Sequence, residues 1–158
     1  MKFDKLNSTL TLTANIGVLI GLILLVIELR QNDNNLNASI QLSLSSSYEE
    51  LATFGVENPA FAESMVKAVS NPEEMTVIDT MNIMSWQYRY LVVLHTTFEL
   101  YRKDIIAEEV WREKVGHFTV FLTIPKLMEL YGESRRHDEF FSSEFYKQIE
   151  QVYEEQSD

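Results

Sequence analysis

A chain of 158 residues with no cysteine and a formal net charge of −11 is long enough to bury its own core without disulfides or a cysteine-bound structural zinc. Lys2, Lys5 and Arg30 against Asp4 and Glu28 leave +1 on residues 1 to 30 and −12 on the remainder. An acidic domain repels phosphate and anionic headgroups, which argues against a nucleic-acid binder and against a polybasic membrane-surface protein.

From Leu6 to Ile27 there is no charge, and the second half, IGVLIGLILLVI, is almost pure hydrocarbon. A helix of these residues is roughly 33 Å long, enough to cross a hydrocarbon core of about 30 Å. A cleaved signal peptide needs small residues at its exit, whereas Glu28, Leu29, Arg30, Gln31 and Asn32 follow here, so an uncleaved transmembrane helix over residues 6–29 is predicted. No polar face recurs between Ile16 and Ile27, as it would in a soluble amphipathic helix. Lys2 and Lys5 before the span against Arg30 after it favour a cytoplasmic N-terminus by one residue.

Within the span, Gly17 and Gly21 form G-x-x-x-G, and Thr13 extends the small-residue row by one turn. Such a row lets a second backbone approach closely, so that dispersion and weak C–H···O contacts hold helices together in lipid. Glu28, seven residues after Gly21, falls on the same face. Thr13, Gly17, Gly21 and Glu28 are therefore the candidate helix-packing face, with Arg30, Gln31 and Asn32 at the juncture that follows.

Residues 31 to 54 contain neither proline nor glycine, and Leu36, Ile40, Leu44, Tyr48, Leu51 and Phe54 recur at three- and four-residue steps. One helix is expected to continue over residues 30–55 as a stalk, with Gly55 as its stop. Residues 56–158 are expected to form a soluble helical bundle packed on that stalk. Asn58-Pro59 and Asn71-Pro72 read as a cap followed by a first-turn proline, starting a helix over 59–69 and another element after 72. From Ile78 to Lys103, one stripe runs through Met81, Met84, Tyr88, Leu91, His95 and Phe98. A second runs through Ile83, Trp86, Tyr90, Val93 and Leu100, and a helix apolar on two sides belongs at the centre of a bundle.

Ala107 to Leu122 repeats the pattern with Trp111, Val115, Phe118 and Leu122, and Glu108 and Glu109 suit its first turn. Pro125 starts a short helix that Gly132 is expected to end. Ser142 or Ser143 then caps a last helix with Phe145, Ile149 and Val152 facing inward. No stretch alternates with period two for long enough to be a strand. The predicted class is all-α.

The sequence carries little chemistry. His95, His117 and His137 belong to no H-E-x-x-H or E-x-x-H pair. His95 with Glu99 and Glu113 with His117 each share a helical face, but four-residue spacing is equally that of a surface ion pair. A histidine on an apolar stripe, as His95 is, is expected to be a hydrogen-bonded core residue. No cysteine nucleophile, G-x-S-x-G or phosphate-binding loop is present. No catalytic residue, cofactor or metal is assigned, and the chain is expected not to be an enzyme. Trp86, Tyr88 and Tyr90 form an aromatic cluster for which core packing is the favoured role, with a ligand pocket as its alternative.

The ELRQN exit of the span, NASIQ just beyond it, TFELYRKDIIAEEVW and FFSSEFYKQIEQV together resemble a group of small, uncharacterised single-span bacterial membrane proteins. The resemblance covers nearly the whole chain and rests on Arg30, Gln31 and Asn32, on Phe98, Glu99 and Tyr101, on Glu108, Glu109 and Trp111, and on Phe145. It implies a bacterial inner-membrane protein and implies no activity. Relatives carry a Thr and more basic residues after the juncture, which would suit a cytoplasmic domain; here Asp33, Asn34 and Asn35 stand there.

The expected function is that of a non-enzymatic single-pass membrane protein. Its partners would be the bilayer and either a second copy of itself or the subunits of a larger membrane complex, not nucleic acid. A membrane-anchored sensor or ligand-binding helical module, with an aromatic core around Trp86 and Trp111, is the alternative. A pore with Glu28 ringing its mouth is a further one.

Overall fold

A computed structural model describes the backbone of residues 2–157 and the side chains of residues 13–156. The side chains of Lys2, Asp4 and Lys5, on which the topology reading leans, and those at the start of the apolar run from Leu6 to Leu12 lie outside the described residues. The fold is all-α: six helices, and no strand among the described residues. The chain divides into two units, residues 1–43 and 44–158.

The first unit is helical, part of α1 (Lys2–Glu57). Its apolar side chains from Ile16 to Ile27 are between 45% and 64% exposed. Among the described residues, α1 is the one helix long and apolar enough to cross a membrane, and none of its apolar stretch is buried.

The second unit comprises the last turns of α1, then α2 (Pro59–Ser70), a 3-10 turn (Pro72–Glu74), α3 (Val77–Arg102), α4 (Glu108–Leu122), α5 (Pro125–His137) and α6 (Ser143–Ser157). α1 passes through Gly55 and ends at Glu57, so Gly55 is not its stop. The break comes at Asn58, whose side-chain Oδ1 accepts from the backbone N–H of Phe61 at 3.1 Å and so caps α2, with Pro59 pre-set for the first turn. α5 likewise runs five residues past Gly132, closing on Arg135, Arg136 and His137, whose charge suits a helix C-terminus. Arg135 also pairs with Glu150 and lies over the Tyr146 ring, which ties that last turn to α6. Ser142 is the cap of α6, its Oγ accepting from the N–H of Phe145 at 3.2 Å.

α3 is central, packing on α2, α4 and α5. Its second apolar stripe is the buried one: Ile83, Trp86 and Tyr90 are in the core. On the first stripe Met81 and Tyr88 are exposed, Met84 is half-buried against the core, and Leu91 and Phe98 are buried. A buried amide, Gln87, donates from Nε2 to the carbonyl of Leu127 at 2.9 Å and pins α3 to the start of α5.

At the other end of α3, α4 and α6 meet it around Trp111, which is 1% exposed. Its ring lies 5.3 Å from Phe98 and 6.2 Å from Phe145, and Tyr101 stacks over it at 6.3 Å. Phe98 and Phe145 close the group at 5.6 Å. The ring-on-ring geometry adds to the area these side chains remove from water. α3 ends in a Schellman turn, with Ile105 N–H donating to Leu100 O at 3.0 Å and Asp104 N–H to Tyr101 O at 2.9 Å. Asp104 occupies the left-handed position of that turn, at φ 55°, where glycine is unstrained and other residues are not.

Two outcomes follow. Trp111→Ala removes the hub of three helices and is expected to cost about 3–5 kcal/mol in denaturant unfolding of the bundle. Asp104→Gly relieves the left-handed strain and is expected to stabilise by about 1 kcal/mol, seen as a higher melting temperature.

Candidate functional site

Successive residues of an α-helix are rotated by about 100°, which places Thr13, Gly17, Gly21 and Glu28 within an arc of roughly 80°. All four are exposed, and a Cβ built on Gly17 or Gly21 meets nothing within 4 Å. Neither glycine has a positive φ, so neither is needed for its backbone. What the two residues provide is a shallow face on an otherwise bulky aliphatic helix. Arg30 lies on the far side of the helix from Glu28, and the two make no ion pair. Arg30, Gln31 and Asn32 are exposed in α1, and the structure brings no other described residue to them that would make a site.

The histidine pairs hold no metal cluster among the described residues. His95 is half buried, and its neighbours are the rings of Phe140, Phe141 and Phe145 at 6.2, 5.2 and 5.2 Å rather than a hydrogen-bonding partner, so the expectation of a hydrogen-bonded core histidine is not met. The Trp86, Tyr88, Tyr90 cluster separates. Trp86 and Tyr90, four residues apart, share a buried face of α3, whereas Tyr88 points to the other side, 5.9 Å from Phe141. Trp86 and Tyr90 form one wall of a groove of about 430 Å³ whose other walls include Phe61, Phe121, Gly55 and His117. Tyr48 stands beside it, its hydroxyl donating to Thr97 Oγ1 at 3.0 Å, since Thr97 spends its own proton on the carbonyl of Val93.

Sequence reasoning missed a polar cluster between α2 and α3. Asp79 is 5% exposed. It accepts from the backbone N–H of Thr76 at 2.8 Å, the Thr76 hydroxyl at 2.7 Å, Ser64 Oγ at 2.9 Å and Lys67 Nζ at 3.2 Å. The Thr76 hydroxyl in turn accepts from the N–H of Asp79, completing a capping box at the start of α3. The signal was present as T-x-x-D at 76–79 ahead of an apolar run. The Thr76 N–H first, then its hydroxyl, Ser64 and Lys67, hold the Asp79 carboxyl well below the usual carboxylate range, against the cost of burial. With every oxygen occupied by structural donors, the cluster locks two helices and offers nothing to a substrate.

A carboxyl depressed in the folded state stabilises the fold above its unfolded pKa of about 3.9, and that contribution is lost as pH falls below it. Asp79→Asn is expected to lower the melting temperature at pH 7 and to flatten its dependence on pH below about 4, measured by circular dichroism on both proteins.

No family model matches the chain, and no curated protein and no solved structure matches it. Of the motif residues that carry the sequence resemblance, the aromatic ones have a common place: Phe98, Tyr101, Trp111 and Phe145 are the group where α3, α4 and α6 meet. Glu99 pairs with Arg102 at 3.2 Å on its rim. The four aromatic residues therefore carry packing.

Proposed function

We propose that this is a non-enzymatic single-pass membrane protein that associates in lipid, with a second copy of itself or with the helix of a larger membrane complex, through the face of Thr13, Gly17, Gly21 and Glu28. The observation that carries the reading is the aliphatic stretch from Ile16 to Ile27, none of which is buried among the described residues. Leaving so much apolar surface in water is costly at about 25 cal/mol per Å², and a bilayer removes that cost. In lipid, however, aliphatic side chains give one helix no preference for another over the acyl chains. Open glycines do, because they let backbones come close, and Gly17 and Gly21 are open. The resemblance to single-span bacterial proteins supports an inner-membrane location, and the Lys2 and Lys5 side supports a cytoplasmic N-terminus.

The chain is expected to stay in the membrane pellet after alkaline carbonate washing. Gly17→Leu and Gly21→Leu are each expected to reduce the oligomeric mass in mild detergent to that of the protomer, read by light scattering. Wild-type mass in both variants rules out the helix face as the point of association.

A further inference from the structure

The groove beside Trp86 is more than a gap in packing. At about 430 Å³ it lies in the range of small-molecule sites, and three features of its walls agree on what would enter it.

The first is Gly55. Glycine inside a helix costs about 1 kcal/mol relative to alanine, and α1 continues past Gly55 without a positive φ or a turn that would require it. A Cβ there would sit 3.6 Å from the Phe61 ring, an ordinary contact, so no clash forces glycine either. What the missing side chain leaves is room along the groove.

The second is the hydroxyl of Tyr90. The residue is only 7% exposed, and its ring is held by Trp86 at 5.5 Å and Phe118 at 5.0 Å. Its hydroxyl makes no hydrogen bond, unlike that of Tyr48 beside it, and burial alone pushes its pKa up to about 12, so it keeps its proton. It is not sealed in the core as the Tyr131 hydroxyl is, and the residue lines the groove. Water serves such a hydroxyl while the groove is empty, and an acceptor brought in by a ligand takes the place of that water.

The third is charge. No aspartate, glutamate, lysine or arginine lines the groove, so a charged guest would be desolvated without a counter-charge, which is costly. His117, exposed at the rim, is the other polar residue besides the tyrosines.

We propose that the groove bounded by Gly55, Phe61, Trp86, Tyr90 and Phe121 is a binding site for an uncharged, largely aromatic or aliphatic small molecule bearing a carbonyl oxygen, which accepts a hydrogen bond from the Tyr90 hydroxyl. The site does not depend on how α1 associates in lipid.

The test uses the full chain in neutral detergent and prodan, an uncharged aromatic ketone, followed by energy transfer from tryptophan, with Trp86 in the groove wall as the near donor. The wild type is expected to give a saturable signal above the linear background of empty micelles. Tyr90→Phe, which keeps the ring, is expected to weaken binding about five-fold, the worth of one neutral hydrogen bond. Gly55→Leu is expected to abolish the saturable signal by filling the groove, whereas Gly55→Ala keeps it and shows that the helix tolerates a side chain there. Circular dichroism melts establish that each variant is folded. A signal that is linear in the wild type overturns the proposal, as does wild-type affinity in folded Tyr90→Phe or in folded Gly55→Leu.

Discussion

Apolar side chains have to leave water, and the cost of failing to do so governs both units of this protein. In residues 44–158 the requirement is met largely internally: one face of each helix packs onto α3 or onto a helix that touches α3, and Ile83, Leu94, Val115, Phe118 and Ile149 are wholly enclosed. Among the described residues of the first unit it is not met: the stretch from Ile16 to Ile27 is apolar around its whole circumference, and none of it is buried. A helix of that kind is stable only where the surroundings are themselves apolar. The proposed place in a bilayer is the physical consequence of that one imbalance.

The bundle is held by aromatic rings and aliphatic side chains together, with polar groups setting the ends of its helices. The group around Trp111 draws together residues far apart in the chain, on α3, α4 and α6, and the aromatic residues of the resemblance motifs fall within it. The Asp79 cluster does a different job. It starts α3 at Thr76 and binds α2 beside it through Ser64 and Lys67, so it fixes geometry where an apolar contact would leave the register free.

Glycine usage connects the two units. All five glycines, at 17, 21, 55, 116 and 132, lie in helices, and none has a positive φ. None of them is therefore required by its backbone conformation, and each gives up helix propensity. At Gly116 the return is close packing, since a Cβ would come within 2.8 Å of the Gln156 amide. At Gly17 and Gly21 it is an open face, and at Gly55 it is room in a groove. For Gly132 the structure shows no such return.

The class of fold and the helix starts were legible in the sequence because they are local. Three- and four-residue periodicity, Asn-Pro pairs and the acidic first turn of α4 act within one or two turns of chain, and α2, α3, α4 and α6 begin within about a residue of where those signals put them. The apolar N-terminal run was equally plain. Helix ends were not, because both Gly55 and Gly132 look like stops when read alone. Tertiary partners override them: Arg135 finds Glu150 and Tyr146, and Phe54 reaches the Phe61 ring at 5.2 Å. Only packing could decide that Trp86 and Tyr90 line one groove while Tyr88 lines others, that His95 rests on three phenylalanine rings, and that Asp79 gathers donors from two helices. Those outcomes depend on which helix lies opposite, and a periodic pattern specifies which face of a helix is buried but not what it is buried against.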